Sequence, residues 1–276
     1  MKTTHLLYIL LIFTNLSVFS QNENLISLGA RSTAMGNSSV TLVDVWAVNN
    51  NQASLGFIES SSVGLHYENR YGISSLGYKS VAGAFKTNSG TFGVKFNYQG
   101  YSTYNNIETG ISYGKSFGEY FAAGIQIDYI HTSLTQDYGS AGMALAEIGI
   151  LAKPVNNLYI GAHVYNPTMT QYKETVNTER IPTIYKFGAG YKFDDMAFLT
   201  AEIVKDIDYP FIFRAGLEFN LVKNFVARAG ISSNNSLISF GAGYKTKGFH
   251  INVAFSYHSY LGYSPFISVV YNFNKQ

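Results

Sequence analysis

The chain has 276 residues, 46% of them hydrophobic but only 13% charged, about half the charge of an ordinary soluble domain. With 22 Tyr, 20 Phe and 26 Gly, the mixture suits strands that face lipid between aromatic interface belts. A formal charge of +2 with no Lys/Arg run gives no argument for nucleic acid, and the lack of cysteine excludes disulfides, thiolate metal sites and a Cys nucleophile.

The chain opens MKTTHLLYILLIFTNLSVFSQ. A lysine near the start, an apolar stretch from Leu6 to Phe13 and small or polar residues around Ser17 and Ser20 predict a secretory signal over 1–20, cleaved before Gln21. The apolar run is too short for a membrane-spanning helix, which needs roughly 18 to 20 residues. Residues 21–60 form a second region without sustained alternation, predicted as short helices and loops, and this region holds the only tryptophan, Trp46.

From Ser61 to the end the alternation is almost unbroken. In TFGVKFNYQG (91–100), Phe92, Val94, Phe96 and Tyr98 share one side of an extended chain while Gly93, Lys95, Asn97 and Gln99 share the other. The same rule runs through Val63/Leu65/Tyr67, Ile125/Ile127/Tyr129 and Phe249/Ile251/Val253/Phe255/Tyr257. It predicts about 14 strands of roughly 9 to 11 residues, the length a tilted strand needs to cross a bilayer. Leu76 to Phe85 fits poorly and suggests a bulge or a misframed strand. Alternate connections are short and turn-like (87–90, 116–120, 153–157, 194–196, 221–224, 245–248), whereas 135–142 and 168–183 are longer. Short turns on one rim and longer loops on the other predict an all-β, 14-stranded antiparallel transmembrane β-barrel over 61–276, in an outer membrane, with both termini in the periplasm.

The charges separate this from a soluble sandwich, the rival reading. A Lys or Arg on the lipid face at mid-membrane costs about 2 to 4 kcal/mol. Lys95, Asp128, Lys186, Glu202, Arg214, Glu218 and Arg228 all fall in the polar phase of their strands, as does Lys192. They are predicted as lumen residues that pair with one another, given the near balance of 19 basic and 17 acidic groups. His66, His163, His250 and His258 also read as lumen residues on different strands, without metal-ligand spacing. FGAGYK occurs at 187–192 and 240–245, each copy one strand of the same template; it lacks the helix and third glycine of a nucleotide loop.

Two short matches to catalytic patterns carry little chemistry. Gly110-Ile111-Ser112-Tyr113-Gly114 has the GxSxG spacing but lies in mid-strand, with no sharp strand-to-helix turn to expose the serine. His131-Thr132-Ser133 resembles the His-x-Ser pair of outer-membrane lipid A deacylases at the loop end of a strand, but one short match is weak and an interface histidine is the better reading. The expectation is a non-enzyme with no cofactor and no metal.

The segment before the barrel carries the most family information. GARSTAMG (29–36), then Asp44 and NNNQASL (49–55), resembles the start of mature proteins of the PorV/PorQ family of Bacteroidetes, within the FadL-type barrel superfamily. The resemblance places a plug motif on Gly29, Ala30, Arg31, Ala34, Met35, Gly36, Asn51, Ala53 and Leu55, with Gln52 where the family has Pro. It implies that residues 21–60 tuck into the barrel as a plug. It further implies an accessory or scaffold subunit of an outer-membrane protein complex, in type IX secretion and surface attachment or a related task. The partners would be other outer-membrane proteins and membrane lipid, docking through the loops at 135–142 and 168–183. The alternative is FadL-like transport of small hydrophobic molecules, against which the Gly, Ser, Asn and charge of the inward rows argue.

Overall fold

The computed structural model describes residues 27–134, 139–170, 181–234 and 237–273. The predicted signal segment, most of the 168–183 loop and the first half of the 135–142 loop lie outside the described residues.

Fourteen strands alternate in chain order: β1 (Ser62–Glu68), β2 (Tyr78–Lys86), β3 (Thr91–Tyr101), β4 (Tyr104–Phe117), β5 (Phe121–Leu134), β6 (Ser140–Val155), β7 (Leu158–Tyr165), β8 (Ile184–Phe193), β9 (Ala197–Asp206), β10 (Ile212–Val222), β11 (Phe225–Ser232), β12 (Leu237–Lys245), β13 (Phe249–His258) and β14 (Gly262–Asn272). Each is antiparallel to its neighbour, and β1 pairs with β14 to close the barrel. Closure leaves no sheet edge, which a membrane demands because hydrocarbon offers no partner to an open N–H or C=O. The ladders run in register except beside two turns, at Asn220/Val222 and Ala152/Val155.

Strands span 7 to 16 residues, a wider range than the even length expected from sequence. β2 is not bulged: it pairs without a break on both sides. Its pattern looked irregular because Ala82 and Ala84 face inward onto apolar residues of the N-terminal region, while Lys79 faces outward.

The outer wall is apolar. Leu65, Ile111, Ile125 and Ile127 are 60–69% exposed, a burial pattern that makes sense only in lipid. Near the short-turn rim, cross-strand aromatic pairs form a girdle: Phe92–Tyr113, Phe225–Tyr244 and Phe249–Tyr271, with ring centroids 4.7–4.9 Å apart. Three lysines do take the outward phase, Lys79, Lys115 and Lys205. Each lies near a rim with its ammonium 5.4–5.9 Å from the ring of Tyr98, Phe117 or Phe211, where a long stem can carry the charge to the interface. The mid-height outer rows of the barrel stay free of charge.

Residues 27–60 lie inside the lumen. They form a helix at Ala30–Ala34, another at Ala47–Asn50 and a 3-10 turn at Gln52–Phe57. Wall glycines let this chain touch the sheet. A Cβ on Gly230 would overlap the Gly36 nitrogen, and one on Gly216 would overlap Met35, while Gly36 itself takes φ +68° against the Ile231 carbonyl. Replacing Gly230 by Val should therefore push the lumen segment off the wall and destabilise the fold by about 1 to 3 kcal/mol. Ala229→Val, on the lipid face, should leave it unchanged. Urea unfolding followed by the fluorescence of Trp46, the only tryptophan, checks both.

Candidate functional site: the lumen segment and its wall contacts

Three wall glutamates grip the lumen segment. Glu218 on β10 takes Arg31 through two parallel bonds, Nε to Oε2 at 2.8 Å and Nη2 to Oε1 at 2.9 Å, and also accepts from Arg228 Nε at 2.6 Å. Arg31 Nη1 reaches Asp44 at 3.2 Å. Glu202 on β9 accepts the backbone N–H groups of Ser39 and Val40, both at 2.7 Å, and Arg214 Nη1 at 3.0 Å. Glu147 on β6 accepts from Gln52 Nε2 at 2.7 Å and from His163 Nε2 at 2.8 Å. Bonds to a buried carboxylate are short and about twice as strong as neutral ones, so these three contacts fix the segment's register in the barrel.

Every position of the sequence-derived plug motif lies in this segment. Gly29 precedes the 30–34 helix. Ala30 and Ala34 pack with Ala254 and Phe266, and Met35 and Gly36 meet the wall glycines. Asn51 caps the 3-10 turn by accepting Ala53 N–H at 3.2 Å and donates to the carbonyls of Val40 and Ile150. Leu55 enters the apolar cluster with Trp46 and Val48. Gln52, where the resembled family has Pro, supplies the side chain that reaches Glu147, a bond proline could not make.

Of the predicted lumen charges, Lys95, Asp128, Lys186, Glu202, Arg214, Glu218 and Arg228 point inward and are buried, whereas Lys192 lies at the short-turn rim with its side chain 45% exposed, paired with Asp195 at 2.8 Å. Lys95 sits among Glu108 at 2.7 Å, Asp128 at 3.1 Å and Glu147 at 3.1 Å, and its ammonium fills the centre of the one described carboxylate trio close enough to hold a metal. Lys186 is the exception: among the described residues it makes no ion pair or hydrogen bond, although 7% exposed. Glu108 and Glu147, which the sequence reading did not single out, hold this cluster together; their place in the polar phase of β4 and β6 was the available signal. The four histidines do not converge, and His250 and His258 share β13, correcting their expected spread over separate strands. His66 instead meets Trp46 edge-on with centroids 5.5 Å apart. Ser112 of the GxSxG match is buried on the inner face of β4, and His131 and Ser133 bond to each other at 3.2 Å at the loop end of β5.

A groove of about 520 Å³ opens on the lipid side of β14, β1, β2 and β3. Leu65, Val81, Phe96 and Val269 line it, with the inner-row residues His66, Ser80 and Ser268 as its floor. Directly behind it lies the largest apolar cluster among the described residues, built from Leu28, Val45, Trp46, Val48, Leu55 and Ile58 of the lumen segment against Ala82, Ala84 and Val270 of the wall.

These features define a 14-stranded outer-membrane β-barrel with an occupied lumen. Among solved structures, the chain resembles the toluene transporter TbuX of Ralstonia pickettii (14% identity, 91% of this chain and 100% of that one, TM-score 0.73) and the toluene transporter TodX of P. putida (14%, 91% and 100%, 0.68). A FadL homologue of Pseudomonas aeruginosa also matches (12%, 87% and 97%, 0.64). The chain thus shares the fold of FadL-type outer-membrane barrels. No protein-family model and no curated protein matches it.

Glu218→Gln should leave Arg31 and Arg228 short of their shared charge and cost about 3 to 5 kcal/mol, the usual penalty for removing one partner of a buried pair. The checking measurement is urea unfolding monitored at Trp46, with Asp195→Asn on the exposed 194–196 turn as the silent control.

Proposed function

We propose that this chain is a FadL-type conduit through which small hydrophobic molecules cross the outer membrane, with residues 27–60 acting as the plug. The observation that carries this reading is the back-to-back placement of an apolar groove on the lipid side and the apolar cluster of the interior, separated only by one layer of sheet floored with Ser80, Ser268 and His66. The inward strand rows are polar, so the greasy lining comes from the plug instead. At the seam between groove and plug, Trp46 Nε1 and His66 Nδ1 are buried without partners among the described residues, and the contact is apolar packing, whereas the carboxylate anchors Glu147, Glu202 and Glu218 hold the other side of the plug. Movement of the plug about Trp46 would join the groove to the chambers of about 500 and 310 Å³ that lie toward the short-turn rim. The toluene transporters of the same fold suggest a monoaromatic hydrocarbon as the first solute to try.

The second reading is a scaffold subunit of a secretion or assembly complex of the PorV/PorQ kind, docking outer-membrane partners. The charge network that fills the lumen and the resemblance of the 29–55 motif favour it, although the motif residues are already occupied in seating the plug.

Uptake of labelled toluene by cells carrying the chain should exceed that of empty-vector cells. Leu65→Trp, which fills the groove from the lipid side, should return it to the control level. Uptake indistinguishable from empty vector, together with co-purification of large outer-membrane subunits in mild detergent, would turn the assignment to the scaffold.

A further inference from the structure

On the loop-rim side of the plug, a cavity of about 100 Å³ lies between β2, β3, β4, β6, β7 and β8 and the lumen residues Leu28 and Asn49. Its lining carries polar atoms that nothing satisfies. Lys186 Nζ has no acceptor among the described residues. Asn49 Nδ2 is buried without a partner, because only its Oδ1 is used, accepting from Asn97 Nδ2 at 2.9 Å. His163 spends Nε2–H on Glu147 at 2.8 Å, so its buried and unpaired Nδ1 carries a lone pair. His163 and Lys186 are cross-strand partners on β7 and β8 and project from the same face.

The carboxylates in the lining do not answer these groups. Glu108 is taken by Lys95 and by Asn97, and Glu147 by Lys95, Gln126, Gln52 and His163. An unpaired polar atom left dry costs enough that buried ones are nearly always matched by protein, water or ligand. Lys186 and Asn49 offer donors and His163 an acceptor, the complement of a hydroxyl, which accepts and donates at one atom, while the hydroxyls of Tyr78 and Tyr165, also in the lining, can take either part. Charge narrows the choice. The lining holds two ammonium groups, Lys95 and Lys186, and two carboxylates, Glu108 and Glu147, with Asp128 behind it at 3.1 Å from Lys95, so the site is charge-balanced before anything enters and an added anion would unbalance it. The volume equals about three waters at roughly 30 Å³ each.

We propose that this cavity is a binding site for a small uncharged alcohol, its hydroxyl accepting from Lys186 and Asn49 and donating to His163. The site is separate from the wall groove and does not depend on hydrocarbon passage. Because Glu147 bonds both His163 and Gln52, an occupant here touches the side chain that seats the 3-10 turn of the plug.

The test is saturation-transfer NMR of the purified, detergent-solubilised chain with two probes of near-equal size, ethylene glycol and glycolate. Ethylene glycol should bind saturably, glycolate at least about tenfold more weakly. Lys186→Met and, independently, Asn49→Ala should each weaken ethylene glycol by about tenfold or more, as expected for a lost bond to a buried or charged donor. Trp46 fluorescence confirms that each variant keeps its plug seated. Absence of saturable binding by ethylene glycol, tighter binding of glycolate, or equal binding by both folded variants would overturn the assignment.

Discussion

A strand in hydrocarbon cannot leave a backbone N–H or C=O unpaired, and the pairing of β1 with β14 is how this chain meets that demand. Everything else follows from the closure. Fourteen tilted strands enclose more space than their own inward side chains fill, and here those side chains include many glycines. The space is filled by chain from the same molecule, residues 27–60, and the glycines become the flat surfaces on which that chain rests.

Filling a polar lumen with a small-residue segment needs specific anchors, since Ala, Ser and Gly bury little apolar area. The anchors are carboxylates. Glu218 meets a guanidinium, Glu202 meets two backbone N–H groups and an arginine, and Glu147 meets a side-chain amide. Each is buried and ionic, and each has its remaining oxygen positions filled by other donors of the wall. Such pairs specify one arrangement more than they add stability, because burying both partners is itself costly.

The interior is divided by this arrangement. Apolar residues of the lumen segment gather against β14, β1 and β2, whereas most of the buried charges gather on β3 to β11, the Glu68–Arg70 pair at the loop end of β1 being the exception. The division explains why two different chemistries fit one barrel: a greasy seam open toward lipid on one side, and a polar pocket with spare donors on the other. His66, which the alternation alone marks as a polar lumen residue, stands on the apolar side because Trp46 and Phe266 cover its ring.

The period-two pattern determined the strand number, the direction each side chain faces and the charge-free outer belt, because a strand's two faces are fixed by backbone geometry alone. Lys95, Asp128 and Arg214 could be assigned to the lumen from that phase. Their partners could not: Lys95 on β3 meets Glu147 on β6, a residue 52 positions away, and only the curvature of the closed sheet brings them together. The β2 strand looked faulty in sequence for a related reason, since its inner alanines answer to the plug and not to the strand rule. The motif at 29–55 lies within the segment that enters the lumen; that Gln52 reaches Glu147 while Asn49 and Lys186 are left with free donors depends on where the three-dimensional packing sets each side chain, which no local pattern encodes.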